Sequence, residues 1–169
     1  FCAFLREVGC RSCSSSGVPW EHLSLRALPR QKDSLSAMPK PLMGICLGMQ
    51  MLFEKGYEFG ESEGLGLIPG CVQLIDGGGL KIPHMGWNDL TVLHDCALSS
   101  DVNDGDYVYF VHSYRAETSD DYISCYATYN EKIPGLVFRN NVYGAQFHPE
   151  KSGQVGMQIL KNFAKLVTK

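Results

Sequence analysis

The sequence lacks the features of a membrane, secreted or nucleic-acid-binding protein. No apolar run approaches the roughly 18 to 20 residues of a bilayer-spanning helix. The segment Phe1 to Cys13 has neither the basic head nor the small-residue cleavage site of a signal peptide. The 15 Lys and Arg residues do not exceed the 18 Asp and Glu residues, so the net charge of −3 offers no basic stripe to a phosphate backbone. We therefore expect a soluble protein that binds neither membranes nor nucleic acid.

Cysteine occurs seven times, an odd number, but not in the pattern of a disulfide-rich domain. A chain of 169 residues can bury a sizeable core without disulfides. Cys10 and Cys13 form one C-x-x-C pair, but no second Cys or His pair follows at zinc-finger spacing. These observations predict a reduced, cytoplasmic protein that holds no metal and needs no other cofactor.

Strand-like and helix-like segments alternate after residue 40. "PLMGI" predicts a short strand that ends before Cys46, and "LGMQMLFEKG" predicts a helix closed by Gly56. "YVYFVHSY", "YISCYATY" and "LVFRNNVYGAQFH" predict further strands, and residues 152–169 show the apolar face of a surface helix. This pattern is typical of an α/β domain with an at least partly parallel sheet flanked by helices.

The first forty residues differ from this pattern. They are rich in Ser and Pro and show no sustained period of either kind, so their local signals do not agree with the rest of the chain. The length predicts a single domain over residues 1–169, in which residues 1–40 are atypical.

The segment "GICLG" places Cys46 between two glycines at a predicted strand-to-helix turn. This G-x-C-x-G pattern is that of a nucleophile elbow with Cys in place of Ser, and small flanking residues permit the sharp turn. A helix that begins after Cys46 would direct N–H groups at the sulfur and favour the thiolate. A cysteine in an apolar run is also often a small buried core residue, and a metal ligand is a third interpretation.

A second candidate site follows the strand in "YGAQFHPEKSG". His148 and Glu150 are two residues apart, so at a strand end the carboxylate can orient the imidazole and stabilise its protonated form. Taken singly, His148 could be a turn residue and Glu150 a first-turn charge. A nucleophile and an acid/base pair at the carboxyl ends of two strands point instead to one active site.

Four motifs, "GICLGMQMLFE", "PHMGWN", "FVHSY" and "YGAQFHPEKSG", occur in this order. Over residues 41–169 the chain thereby resembles the class I (triad-type) glutamine amidotransferases, most specifically the glutaminase subunits of imidazole glycerol phosphate synthase in histidine biosynthesis. The resemblance implies a flavodoxin-like, mostly parallel sheet flanked by helices.

The resemblance also implies a reaction, the hydrolysis of glutamine to glutamate and ammonia. Cys46 would be the nucleophile, His148 the acid/base and Glu150 its orienting carboxylate, with the Leu47 N–H as an oxyanion donor. The residues implied to contact glutamine are Gln50, His112, Ser113 and Tyr114. Without the resemblance, Gln50 could be an exposed helical residue and "HSY" the polar end of an edge strand.

A partner is implied as well. Ammonia would pass to a cyclase subunit, a (β/α)8 barrel, in a heterodimer. Trp87, Asn88 and Lys151 match positions at that interface, where Trp is a common anchor and Lys a plausible end of an ion pair. Trp87 could equally cover part of the core.

The chain departs from the family pattern before residue 40. The amino-terminal strand of the family is expected to be missing, and "CSSSGVPWEH" retains only Gly17 and Val18 of the loop that supplies a second oxyanion donor. Residues 1–40 are therefore interpreted as truncated or frame-displaced. Two alternatives remain open: the glutaminase subunit of another class I amidotransferase, or a truncated copy with impaired catalysis.

Overall fold

A computed structural model describes residues 40–168. The strands of its largest sheet are, in spatial order, β1 (Leu42–Ile45), β11 (Val142–Ala145), β10 (Glu131–Arg139), β9 (Ile123–Tyr129) and β6 (Thr91–Val92). β1 runs parallel to β11, and the other neighbours are antiparallel. These strands include the β-rich segments predicted from the sequence.

Two smaller sheets complete the strands of the described residues. The first contains β3 (Ser62–Glu63), β2 (Lys55–Gly56), β4 (Cys71–Leu74) and β8 (Tyr114–Glu117), and the second pairs β5 (His84–Asp89) with β7 (Tyr107–His112). The helices are α1 (Leu47–Gln50) and α2 (Gly153–Val167), with single 3-10 turns at Asp120–Tyr122 and Pro149–Lys151.

Two asparagines form the turns between the last three strands. Asn130 separates β9 from β10, and Asn140 begins the two-residue turn between Arg139 and Val142. Both adopt positive φ, 57° and 54° respectively, a conformation that Asn tolerates better than other non-glycine residues. These short turns require consecutive strands to be antiparallel.

Helix α2 covers the main core with the face predicted from its periodicity. Ile159 is fully buried, and Val155, Phe163 and Leu166 pack against the same cluster. That cluster also contains the buried rings of Phe110 and Phe147, from β7 and the segment after β11. The predicted surface helix is confirmed.

The helix predicted for residues 47–56 is much shorter than expected. α1 ends at Gln50 because the carbonyls of the following residues are bound by a distant segment. Met51 C=O accepts the Leu65 N–H, Phe53 C=O accepts the Gly66 N–H, and Leu52 C=O accepts from residues 67 and 68, at 2.8 to 3.0 Å. These bonds replace the i to i+4 bonds of a longer helix, and Lys55 and Gly56 form strand β2 instead.

The α/β arrangement is confirmed, but the sheets of residues 40–168 are mixed. Two strand pairs are parallel, β1 with β11 and β2 with β4. The remaining pairs are antiparallel. The mostly parallel sheet implied by the resemblance is therefore not seen here, because hairpin turns join β9, β10 and β11.

Several expectations fall on residues that the structure does not describe. The described residues 40–168 do not include Cys10, Cys13, Gly17 or Val18. The expectation that the amino-terminal strand is missing also concerns residues outside this range. The single domain over residues 1–169 likewise stays a prediction. Within the described residues, no helix is both long and apolar enough to cross a bilayer.

Candidate active site

The parallel pair β1 and β11 brings the two predicted sites to one edge of the main sheet. Ile45 pairs with Ala145, and the Cys46 N–H donates to the Ala145 carbonyl at 2.7 Å. Cys46 therefore leaves the sheet beside the start of the segment that leads to His148. Carboxyl ends of parallel strands form such clefts in α/β proteins.

Cys46 occupies a sharp backbone turn. Its φ of 52° and ψ of −111° are unusual for a residue with a side chain, as in a nucleophile elbow. A Cβ at Gly44 would lie 2.3 Å from the Gly48 carbonyl oxygen, so the start of α1 can approach β1 only at a glycine. A Cβ at Gly48 would meet no described atom within 4 Å. The spatial requirement for glycine is thus demonstrated at Gly44 only.

The difference in space around Gly44 and Gly48 predicts different effects of alanine at the two positions. Gly44→Ala should lower the free energy of unfolding by about 1 to 3 kcal/mol, the usual cost of overpacking. Gly48→Ala is the matched control: it should leave the free energy unchanged or raise it, because Ala favours helix more than Gly does. Urea denaturation of the two variants measures the difference, and equal stabilities would contradict the packing argument.

The sulfur of Cys46 is not biased toward the thiolate as the sequence predicted. Burial raises the pKa of the Cys46 thiol, and the hydrogen bond from the Leu47 N–H lowers it only in part. The charge of Glu150 also raises this pKa, whereas that of Lys151 lowers it. The expected dipole is small because α1 has only four residues. At neutral pH Cys46 is a thiol that requires a base.

His148 and Glu150 form the predicted pair. His148 Nδ1 lies 2.7 Å from Glu150 Oε1, and since the carboxylate accepts the Nδ1 proton, Nε2 is left as the basic nitrogen. Burial raises the pKa of Glu150, but its hydrogen bonds to His148 and to its own backbone, together with the charges of His148 and Lys151, outweigh that effect and lower the pKa. The imidazole is thereby held in one tautomer.

Strand β7 fixes the turn that carries His148. The His148 N–H donates to the Tyr109 carbonyl at 3.0 Å, and the Tyr109 N–H donates to Ser152 Oγ at 3.0 Å. Ser152 Oγ in turn donates to the His148 carbonyl at 2.7 Å. Pro149, at the first position of the 3-10 turn, also restricts the backbone.

Gln50 lies at the end of α1 and faces the same edge. Its Nε2 donates to the Tyr114 carbonyl at 2.9 Å and to Gln146 Oε1 at 3.1 Å. Gln50 also lines a pocket with Lys55, Gly56, Glu58, Gly64 and Val72. Gln50 therefore lies beside a small pocket, and its contact with glutamine stays a prediction.

His112 is placed differently from the expected glutamine contact. Its side chain is buried, its Nδ1 donates to the Tyr114 carbonyl at 2.8 Å, and its Nε2 lies 3.2 Å from His84 Nδ1. Both ring nitrogens are thus engaged inside the protein. Ser113 and Tyr114 are half-buried, and the Ser113 carbonyl accepts the Ile75 N–H.

Two functional candidates were missed by the sequence analysis. Gln146 is fully buried and its Nε2 lies 4.0 Å from Cys46 Sγ. His84 is stacked between Phe110 and Tyr129, with centroid distances of 4.7 and 4.1 Å. The signal for Gln146 was a lone polar residue within the apolar "YGAQF". His84 lies within "PHMGWN", where the resemblance implies roles for Trp87 and Asn88 only.

The residues predicted for a partner interface divide into two groups. Trp87 is 55% exposed and contacts Tyr109 edge-on, and Lys151 is exposed. The Asn88 side chain instead bonds within the chain, to the Thr128 carbonyl at 3.1 Å and to His84 Nε2 at 3.4 Å. Trp87 thus lies on the outer face of β5, and Asn88 on the inner one.

Comparison with known proteins identifies the family. The family "Glutamine amidotransferase class-I" matches residues 23–167. The chain belongs to the class I glutamine amidotransferases. Within that family, the chain groups with the HisH subunits of imidazole glycerol phosphate synthase. It is 48% identical over 145 residues to HisH of Bacillus thuringiensis (strain Al Hakam). The matched residues cover 86% of this chain and 69% of the relative. HisH of Bacillus anthracis (strain CDC 684 / NRRL 3495) is similar to the same extent.

Solved structures agree on the fold. A crystal structure of a glutamine amidotransferase has a TM-score of 0.59 at 17% identity, over 83% of this chain and 68% of the other. A glutamine amidotransferase of Thermotoga maritima has a TM-score of 0.56 at 17% identity, over 90% of this chain and 60% of the other. The chain therefore spans about two thirds of the length of the proteins that it matches.

Proposed function

We propose that this protein hydrolyses glutamine to glutamate and ammonia as the glutaminase subunit of imidazole glycerol phosphate synthase in histidine biosynthesis. Membership of the HisH branch supports the substrate and the pathway. The observation that carries the chemistry is the parallel pairing of β1 with β11, which brings Cys46 and the segment leading to His148 and Glu150 to one sheet edge. A cytoplasmic location is part of this proposal.

The first half of the reaction forms a thioester. His148 Nε2 takes the Cys46 thiol proton while the sulfur attacks the side-chain amide carbon of glutamine. The Leu47 N–H, already directed at the sulfur, donates to the oxyanion of the tetrahedral intermediate. The C–N bond then breaks as His148 returns the proton to the leaving nitrogen, so that ammonia departs uncharged.

The second half regenerates the enzyme. Water attacks the thioester carbon, and His148 Nε2 accepts the water proton. The C–S bond breaks, glutamate leaves, and His148 returns the proton to Cys46. Throughout, Glu150 holds Nδ1 and stabilises the charge that the imidazole acquires twice.

We also propose that the outer face of β5 and β7 binds the cyclase barrel as the partner in a heterodimer. Met85, Trp87 and Tyr107 are each more than half exposed on this face. Trp87 contacts Tyr109, whose backbone fixes the His148 turn, so the apolar surface lies next to the proposed site of ammonia release. Lys151, exposed in the turn that follows His148, is the cation that we assign to this interface.

The docking proposal predicts the effect of removing the tryptophan. Trp87→Ala should weaken binding of the cyclase subunit by about 30-fold, the effect of losing an interface residue worth about 2 kcal/mol. Leu74→Ala is the control, because Leu74 is 59% exposed on β4 of another sheet. Isothermal titration with the cyclase measures both, and equal affinities for the two variants would argue against this face.

Titration of glutamate release against the cyclase tests the function and its alternatives. We expect glutamate formation that rises as the cyclase of imidazole glycerol phosphate synthase is added and saturates at one cyclase per chain. Activity independent of that cyclase would favour the glutaminase of another class I amidotransferase. Binding without glutamate formation would favour an impaired copy.

A further inference from the structure

Gln146 is a buried amide placed between the proposed nucleophile and the proposed substrate-contacting residue. Its side chain is fully buried at the end of β11, and its backbone N–H donates to the Gly135 carbonyl at 2.8 Å. Its Nε2 faces Cys46 Sγ at 4.0 Å, and its Oε1 accepts from Gln50 Nε2 at 3.1 Å. One side chain therefore contacts both residues.

A backbone carbonyl sets the direction of these hydrogen bonds. The Tyr114 oxygen can only accept, so both His112 Nδ1 and Gln50 Nε2 must donate to it, at 2.8 and 2.9 Å. Gln50 thus directs an N–H group at Gln146, and the Gln146 atom that accepts it must be Oε1. The Gln146 Nε2 group then faces the sulfur.

The same reasoning fixes the tautomers of two histidines. Because His112 Nδ1 donates, its Nε2 accepts from His84 Nδ1 at 3.2 Å. His84 Nε2 is then an acceptor, and Asn88 Nδ2 lies 3.4 Å from it. Burial lowers the pKa of each histidine to about 4, so both stay neutral and this order persists at neutral pH.

We propose that Gln146 is a positioning residue for glutamine hydrolysis, which directs an amide N–H at the Cys46 sulfur and fixes the amide of Gln50, while the Tyr114 carbonyl keeps this network in one direction. This inference rests on the proposed function. An N–H donated to sulfur stabilises the thiolate formed when His148 takes the proton, and so opposes the effect of burial.

The acidity of Cys46 is the quantity that a merely structural role would not change. The charged groups that act on the sulfur are Glu150, Lys151 and Glu58, and they remain in place in the variants below. The measurement is the rate of Cys46 alkylation by iodoacetamide in the full chain against pH, followed by peptide mass spectrometry. It requires no glutaminase activity.

Gln146→Met keeps the length of the side chain and removes its amide. We expect the alkylation midpoint to rise by about one pH unit, the size of one hydrogen bond to a charged group. Gln158→Met, a half-buried glutamine on α2, is the control and should leave the midpoint unchanged. An unchanged midpoint in Gln146→Met would overturn the proposal.

Two further variants keep the test decisive if Gln146→Met fails to fold. Gln146→Asn retains an amide in the core but is one methylene too short for the sulfur, and should produce the same rise. Gln50→Met removes the donor that orients the Gln146 amide, at a half-buried position, and should produce a smaller rise. No rise in either would refute the role. Wild-type chain that forms no glutamate with the cyclase, yet shows these shifts, would instead refute the proposed function alone.

Discussion

Cys46→Ala should reduce cyclase-stimulated glutamate release to background, a loss on the order of a million-fold, as for other triad hydrolases that lose the nucleophile. The physical reason is that, without the sulfur, no nucleophile is present for His148 to deprotonate, and no tetrahedral intermediate forms for the Leu47 N–H to stabilise. Glutamate release would be measured at saturating glutamine and cyclase. Cyclase binding should be unchanged, because the outer face of β5 and β7 does not include Cys46.

Cys71→Ala is the matched control for this loss. Cys71 is likewise a half-buried free cysteine, but it lies on β4 in another sheet. We expect turnover within about two-fold of wild type, in keeping with the small free-energy changes of most substitutions away from functional features. Activity that survives Cys46→Ala, or disappears in Cys71→Ala, would show that the nucleophile has been misassigned.

His148→Ala should lower kcat by about 100- to 10,000-fold, the usual contribution of one general acid/base. The loss follows from the raised pKa of Cys46, which leaves a thiol that cannot attack until a base takes its proton. Single-turnover measurements at several pH values would show the rate recovering as the pH approaches the thiol pKa. A rate independent of this imidazole would remove His148 from the mechanism.

Glu150→Gln should lower turnover by less than His148→Ala does. The substitution keeps a hydrogen-bond acceptor near Nδ1 and removes the charge. The Glu150 side chain is about half exposed, and water screens the charge that it offers to His148. A loss larger than that of His148→Ala would indicate that Glu150 acts directly on substrate.

Much of the fold could be predicted because its signals are local. The apolar strand before Cys46, the β-branched and aromatic runs of β7 and β9, and the apolar face of α2 all depend on residues close in sequence. The length of α1 could not be predicted, because residues 64–68 determine it by binding the carbonyls after Gln50. The pair "NN" at 140 and 141 could have indicated the hairpin that makes β10 and β11 antiparallel.

In the candidate site, too, features set by nearby residues could be predicted and features set by distant residues could not. G-x-C-x-G and H-P-E are local patterns, so Cys46 and the contact between His148 and Glu150 could be predicted. The contacts of Gln146 to Gln50 and Cys46 could not, because they span 96 and 100 residues of sequence. The sign of the Cys46 pKa shift was predicted wrongly, because burial raises the pKa by more than the Leu47 N–H of the following helix lowers it.

The most direct test of the account is the identity of the residue that carries substrate during turnover. Acid quenching of the chain while it hydrolyses glutamine with the cyclase, followed by peptide mass spectrometry, would locate any glutamyl thioester. We predict the adduct on the peptide that contains Cys46, and its absence in Cys46→Ala. Glutamate formation with the adduct on another cysteine, or with no glutamyl-enzyme at any time point, would contradict a mechanism centred on the edge formed by β1 and β11.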